Sequence, residues 1–473
     1  VKILFVAAEM APLVKVGGLA DVIGSLPKAL NQLGHDVRVM IPRYGMLDLS
    51  QHRVAPVLDK LDVVVGRLSR QISVELAENE IKVYLVNGED FRTAKEPYGE
   101  GELQRFLVYC RAVVEVLHEM EWQPEIVHCH DWHTALVPFW LRSEGGKGKY
   151  VTFFTIHNLA YQGAFDSAFL AQCGLEGSWR SPFAEMAQPP LNFMGQGILW
   201  ADVVTTVSET YAREILTPEY GAGLHILLRY RQNRLFGIVN GLDYEMYDPL
   251  TDRYLAANYD ANSLEKRKVN KMVLQNEVGL SQDSEVALIG MVSRLDEQKG
   301  LDIVVESFPS LFYKPDIQMV ILGKGKEYYH SLLRRAAERY RHRLGVAITF
   351  DERLARLIYG GCDMFLMPSR FEPCGLGQLI AMRYGAVPVV RHTGGLAETV
   401  ENLAEDLSRG TGFVFQTYSS GDLLAAIERA VSVYKNKQVW QRIVRSIMGR
   451  DFSWQASAQK YESLYHRALE GRL

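Results

Sequence analysis

Several common signatures are missing from this 473-residue sequence, and each absence removes a class of function. No apolar run approaches the roughly 20 residues that a membrane-spanning helix needs. No Cys-x-x-Cys pair occurs. The cysteines, Cys110, Cys129, Cys173, Cys362 and Cys374, are odd in number and far apart. That argues against a structural zinc site or a disulfide framework, and for a reducing compartment. The Gly-x-Gly-x-x-Gly fingerprint is absent, and no acid ends the second strand pattern at residues 40–44. A nicotinamide-dependent dehydrogenase is therefore disfavoured. The net charge of −4 offers no basic excess for a nucleic-acid partner. The chain opens directly on a strand pattern, VKILFVAAE, with no basic start and no small-residue cleavage site. A cytoplasmic location is expected, or a plastid if a targeting peptide was removed along with the missing initiator Met.

What is present is an ordinary globular composition, 48% hydrophobic and 23% charged, with length for two or three domains. Residues 2–7 are an apolar β run and 15–19 are the loop KVGGL. Residues 20–33 carry Val22, Ile23, Leu26, Leu30 and Leu33 at helical spacing. Pro27 inside that stretch predicts a kink, Gly34 ends it, and 35–41 reads as the next strand. Further strands are predicted at 81–86, 126–128, 151–155 and 203–207. The pattern then restarts, with strands at 286–293, 319–322, 364–367 and 387–390. Such alternation predicts parallel sheets covered by helices on both faces. The fold class is α/β, with two doubly wound, Rossmann-like domains. Residues 1–240 form the first and 241–454 the second, joined at the Asn240-Gly241 turn signal. Ligands of such sheets bind beyond the carboxyl ends of the strands, so two facing domains make a cleft.

The chemistry should lie in strand-following loops. In KVGGL, Gly17 and Gly18 let backbone approach a ligand, Lys15 adds charge, and the helix start offers free N–H groups. That suits a pyrophosphate; an ordinary strand-to-helix turn is the competing reading. In VSRLDEQKG, Arg294 and Lys299 can neutralise a leaving diphosphate, or simply pair with Asp296 and Glu297. In SRFEPCGLGQL, Glu372 precedes a helix expected near Leu376. It can hold sugar hydroxyls, position a cation, or cap the helix. Cys374 has no base beside it and reads as a small buried residue. HCHDWH has no known metal-ligand spacing. Its Asp131 and Trp132 suit a sugar, a carboxylate for hydroxyls and an aromatic face for a pyranose. TIHNLAYQG offers His157 and Asn158 in a similar setting. No two aspartates are separated by one residue, so the Asp-x-Asp metal-holding pattern is absent. Lys15, Arg294 and Lys299 would then act as fixed charge in a metal's place.

In order along residues 2–465, KVGGL, HDWH, HNLAYQG, VNGLD, SRLDEQKG, PSRFEPCGL, TGGLAETV and DFSWQ resemble the bacterial glycogen synthase and plant starch synthase family. The resemblance implies a GT-B fold with the active site between its domains, and a terminal helix, 455–473, crossing back to the first. It implies retaining transfer of glucose from ADP-glucose to the non-reducing 4-hydroxyl of an α-1,4-glucan: glycogen, starch or a malto-oligosaccharide. No cofactor, metal, nucleic acid or membrane is implied. Lys15 resembles the family's phosphate lysine, and Arg294 and Lys299 its diphosphate pair. Glu372 resembles the carboxylate at the catalytic centre, within the motif that holds Cys374, Gly375 and Leu376. His157 resembles the histidine on the transferred sugar, and Asp131 and Trp132 resemble acceptor-side residues. Asn240 resembles a site asparagine and Phe350 an aromatic against the base. Tyr98 and Asp21 are also assigned to substrate. Three positions depart from the usual pattern: Val16 and Gly377 stand where Thr is common, and Ile380 stands where the wider GT-B group has a second Glu. Starch-synthase-like members share that last change. Two alternatives stay open, a GT-B transferase using UDP-glucose and a weakly active glucan-binding or initiation protein.

Overall fold

The computed structural model describes residues 1–78, 80–143, 149–176, 179 and 191–473. The chain divides into two compact units, one formed by Val1–Gly241 with Trp454–Leu473 and the other by Leu242–Ser453. Among the described residues, no helix is long and apolar enough to cross a membrane.

In the first unit the run KILFV becomes β1 (Lys2–Val6). Successive side chains of a strand point to opposite faces. Ile3, Phe5 and Ala7 accordingly enter one hydrophobic core, and Leu4, Val6 and Ala8 enter another. The sheet is thus covered on both sides. The first helix, Gly18–Gln32, buries Leu19, Val22, Ile23, Leu26 and Leu30, and carries Pro27 in its interior without a break. After Gly34 (φ +91°) comes β2 (Asp36–Pro42). Then follow β3 (Arg53–Val65), β4 (Leu68–Glu78), β5 (Lys82–Asn87), β6 (Ile126–His130), β7 (Val151–Ile156), β8 (Val203–Thr206) and β9 (Leu235–Gly237). The spatial order is β3-β4-β5-β2-β1-β6-β7-β8-β9. β3 pairs antiparallel with β4, and β4 with β5, which corrects the all-parallel expectation for this unit. The C-terminal helix, Trp454–Leu469, adds Trp454, Ala458, Tyr461, Leu464 and Tyr465 to the core that holds Phe5. Trimming a core ring such as Phe5 to Ala costs about 3–5 kcal/mol.

The second unit contains β10 (Ala287–Val292), β11 (Ile317–Leu322), β12 (Leu344–Ala347), β13 (Met364–Met367), β14 (Val387–Arg391) and β15 (Phe413–Phe415). All pairings are parallel, in the order β12-β11-β10-β13-β14-β15. Counted from its own first strand, that is 3-2-1-4-5-6, the doubly wound dinucleotide-binding order. The winding reverses between β10 and β13, and in the first unit between β1 and β6. Ligands of doubly wound sheets bind at such reversals. The loops after these four strands are VSRLDEQKG, SRFEPCGLG, KVGGL and DWH.

Candidate functional site

In the second unit, the chain leaves β10 and makes one turn of 3-10 helix, Glu297–Lys299. The Asp296 carboxylate caps it, accepting the Lys299 N–H at 3.2 Å. The turn sends the Lys299 ammonium onto Glu372, 2.9 Å from Oε1 and 2.6 Å from Oε2. Ser369 Oγ donates to the same Oε2 at 2.8 Å. The Lys299 and Glu372 side chains are only 16% and 6% exposed, so this pair is largely out of water. The two loops are joined through backbone as well, Arg370 N–H donating to the Gln298 carbonyl at 2.8 Å. Of the competing readings, charge pairing within the loop describes Arg294 and not Lys299. Arg294 lies 2.9 Å from Asp296, donates to Gln298 Oε1 at 2.8 Å, and is half exposed. Glu297 binds Lys326. The helix-cap reading of Glu372 fails, because the cap position of helix Gly377–Arg383 is Leu376, four residues further on, and no side chain caps it.

The rest of this half-site is close-packed. Gly375 has φ +74°, and a Cβ there would lie 2.5 Å from Gln378 Oε1. Gln378 Nε2 in turn donates to the carbonyls of Cys374 and Gly375. Cys374 is buried and reduced, and Leu376 is half-buried. Gly395 N–H donates to the Glu372 carbonyl at 3.1 Å, so the TGG segment supports the Glu372 backbone. A Cβ at Gly377 would sit 3.1 Å from Met367 Sδ and 3.1 Å from the Phe365 ring. A threonine there would crowd both, which explains the glycine. The Phe350 ring is 85% exposed and lies directly before helix Glu352–Gly361.

In the first unit, Gly17 caps the first helix with no side-chain acceptor. A Cβ at Gly18 would meet nothing within 4 Å, so the space beside this helix start is open. Lys15 pairs with Asp21 at 2.6 Å on the surface. Beneath the loop lies Glu9, which the sequence reading missed. It is 2% exposed and accepts the N–H groups of Val16 at 2.5 Å and Gly17 at 3.1 Å. Burial pushes its pKa up, against those two donors and the Tyr98 hydroxyl. The Tyr98 ring stacks on His133, with centroids 4.7 Å apart.

Asp131 follows β6 with φ +58°, an uncommon backbone for a non-glycine residue. Its carboxylate accepts the His157 N–H at 2.7 Å and so holds the loop after β7. Burial lifts its pKa to about 7, opposed by the N–H groups of His157 and Asn158. His157 Nε2 lies 3.0 Å from His130 Nδ1, and burial drives its pKa down to about 3. It is therefore a neutral hydrogen-bonding ring at neutral pH. His128 sits between the Tyr465 hydroxyl at 2.7 Å and Thr155 Oγ1 at 2.6 Å. One expectation is corrected here. Trp132 is only 4% exposed. A Cβ at Gly163 would lie 2.2 Å from its ring, and Phe106 meets it edge-on. This indole is core and offers no open face to a pyranose. Asn240 is 7% exposed, and its Oδ1 is buried with no hydrogen-bond partner. Ser369 was also missed, and only its place three residues before Glu372 marks it. Glu9 had only its place just past β1 to mark it.

A family profile described as the starch synthase catalytic domain matches residues 2–230, and one described as glycosyl transferases group 1 matches residues 275–446. The chain is 45% identical to the glycogen synthase of Moorella thermoacetica, over 100% of this chain and 97% of that protein. It is 41% identical to that of Thermotoga maritima, over 99% of each. Among solved structures, the catalytic domain of starch synthase IV from Arabidopsis thaliana, bound to ADP and acarbose, matches with a TM-score of 0.90 and 33% identity over 99% of both chains. Sucrose-phosphate synthase from Thermosynechococcus elongatus matches with a TM-score of 0.62 and 17% identity over 99% of both, a likeness of fold alone. Two doubly wound units with these neighbours define a GT-B glycosyltransferase. The chain belongs to the glycogen synthase and starch synthase family of glucosyltransferases.

Proposed function

We propose that this chain transfers glucose from ADP-glucose to the non-reducing 4-hydroxyl of an α-1,4-glucan, with retention of configuration. The observation that carries the reading is the Lys299–Glu372–Ser369 cluster at the strand reversal of the second unit. An ammonium held by a buried carboxylate is already oriented when the diphosphate charge grows, so it stabilises the transition state without reorganising. Arg294 adds a second cation, and the exposed Phe350 ring offers a face to the base. The bond from the anomeric carbon to the diphosphate breaks, and the diphosphate takes the electron pair. The acceptor 4-hydroxyl bonds to the same face of that carbon, and its proton passes to the departing phosphate oxygen. Glu372 accepts from Lys299 and Ser369, so its role is to position Lys299 rather than to attack.

On the first unit, Lys15 and the helix start at Gly17 and Gly18 take phosphate. Asp21, Tyr98, Asp131, Asn158 and Asn240 serve the sugar and glucan. His157, neutral at neutral pH, hydrogen-bonds a hydroxyl of the transferred sugar. The buried, unbridged cysteines fit a cytoplasmic location. The test is incorporation of radiolabelled glucose into glycogen from ADP-glucose and, in parallel, from UDP-glucose, each with and without EDTA. Label entering from ADP-glucose at equal rates with and without EDTA is expected. Preference for UDP-glucose, or no incorporation by folded protein, overturns the reading.

A further inference from the structure

We propose that His35, Glu462 and His466 form a transition-metal site, of the kind zinc occupies, that clamps the C-terminal helix to the first unit. Their donor atoms lie within 4.8 Å of one another, the sole such three-ligand group among the described residues. His35 Nε2 is 3.1 Å from Glu462 Oε1. Zinc bonds of about 2.0–2.2 Å in a tetrahedral shell put ligand atoms about 3.4 Å apart. The His35–Glu462 pair is already close to that spacing, and His466, within 4.8 Å of both, has to approach by at most about 1.4 Å to complete it. It is free to do so, because its ring is exposed.

The scaffold accounts for the grouping. Glu462 and His466 are one turn apart on helix Trp454–Leu469, so their side chains rise from one face. His35 comes from a separate element, the turn at Gly34 that ends the first helix. Its side chain is 5% exposed, and Nε2 is the ring nitrogen that faces Glu462. Two imidazoles and one carboxylate suit zinc, nickel or cobalt better than magnesium or calcium, and leave a fourth position for water. The first helix is 15 residues long, so about 22 Å of helix separates this group from the Gly17 end. The role is therefore structural: the metal ties the last helix to the end of the first, against which it packs.

The test is a calorimetric titration of Zn²⁺ into the full chain after chelator removal. About one equivalent binds the parent protein. H466A changes an exposed residue and keeps the fold, yet weakens binding by at least about 100-fold, since even second-shell losses reach that size. E462Q weakens it as well. At zinc about 100 times the dissociation constant, the melting temperature of the parent rises by about 5 °C, and that of H466A does not. Absence of saturable binding to the parent, or undiminished affinity in both variants, overturns the proposal.

Discussion

Lys299 and Glu372 neutralise one another before any ligand arrives, and both are mostly out of water. Removing one partner of a buried pair typically costs about 3–5 kcal/mol, because the other is left uncompensated. Lys299→Ala therefore has two effects. Its kcat falls about 10²–10³-fold, as when one well-placed electrostatic stabiliser is lost, and its melting temperature falls too. Arg294 separates those effects. It is half exposed and bound to Asp296 and Gln298, and such a surface pair contributes about 0–1 kcal/mol to folding. Arg294→Ala should keep its melting temperature and still lose kcat. Steady-state kinetics alongside thermal melts check both variants. A Lys299→Ala protein that is folded and turns over within about threefold of the parent ends the claim that this loop carries the chemistry.

At the scale of elements, the strand ends determine how the first unit responds to acid. Burial drives His133 and His157 to about 3, and holds His128 and His130 well below their ordinary value. In the unfolded chain each titrates near 6.5, so below that pH the unfolded state binds more protons. Their contribution is present above about 6.5 and is lost as pH falls toward 3, by up to about 1.4 kcal/mol per histidine per pH unit. Asp131 runs the other way. Its folded value of about 7 lies above the ordinary 3.8, so its contribution is present at low pH and is lost as pH rises through 7. Glu9 shifts in the same direction as Asp131. Four histidines outweigh two carboxyls, so melting temperature should drop steadily below about pH 6.5. A melting curve independent of pH between about 5 and 7 would show that these rings are not held neutral. The same elements show what a sequence reveals. KILFV and the MVIL part of β11 were legible because strands buried on both faces read as unbroken apolar runs. β3 was not: it is an edge strand, most of its residues are exposed, and it contains Pro56. β9, β12 and β15 have three or four residues, too few to display a period. The placing of Lys15, Lys299 and Glu372 in glycine-rich loops after strands was legible from local pattern. The Lys299–Glu372 contact spans 73 positions, and the inward turn of Trp132 depends on Gly163; neither leaves a local mark.

At the scale of the molecule, the first unit is built from both ends of the chain. Trp454, Tyr461 and Tyr465 share a core with Ile3, Phe5 and Val37, so that core stays incomplete until the last helix docks. The docking is also polar. Tyr465 is fully buried, and its hydroxyl lies 2.7 Å from His128 Nδ1. His128 Nε2 reaches Thr155 Oγ1 at 2.6 Å, and Thr155 Oγ1 reaches Thr205 Oγ1 at 2.6 Å. One chain of hydrogen bonds thus joins the final helix to β6, β7 and β8. Tyr465→Phe keeps the ring, which packs edge-on against Phe153 with centroids 4.8 Å apart. It removes the hydroxyl alone and leaves a buried imidazole nitrogen without a partner, at a cost of about 1–3 kcal/mol. For a unit of this size each kcal/mol moves the melting temperature by about 2–4 °C. Thr155→Val breaks the chain at its next link. Because both substitutions act on one network, their combined cost should be smaller than the sum of the two. Differential scanning calorimetry of the single and double variants measures this. Strict additivity would mean that the four residues do not act as a connected chain, and an unchanged melting temperature for Tyr465→Phe would mean that apolar packing alone holds the last helix in place.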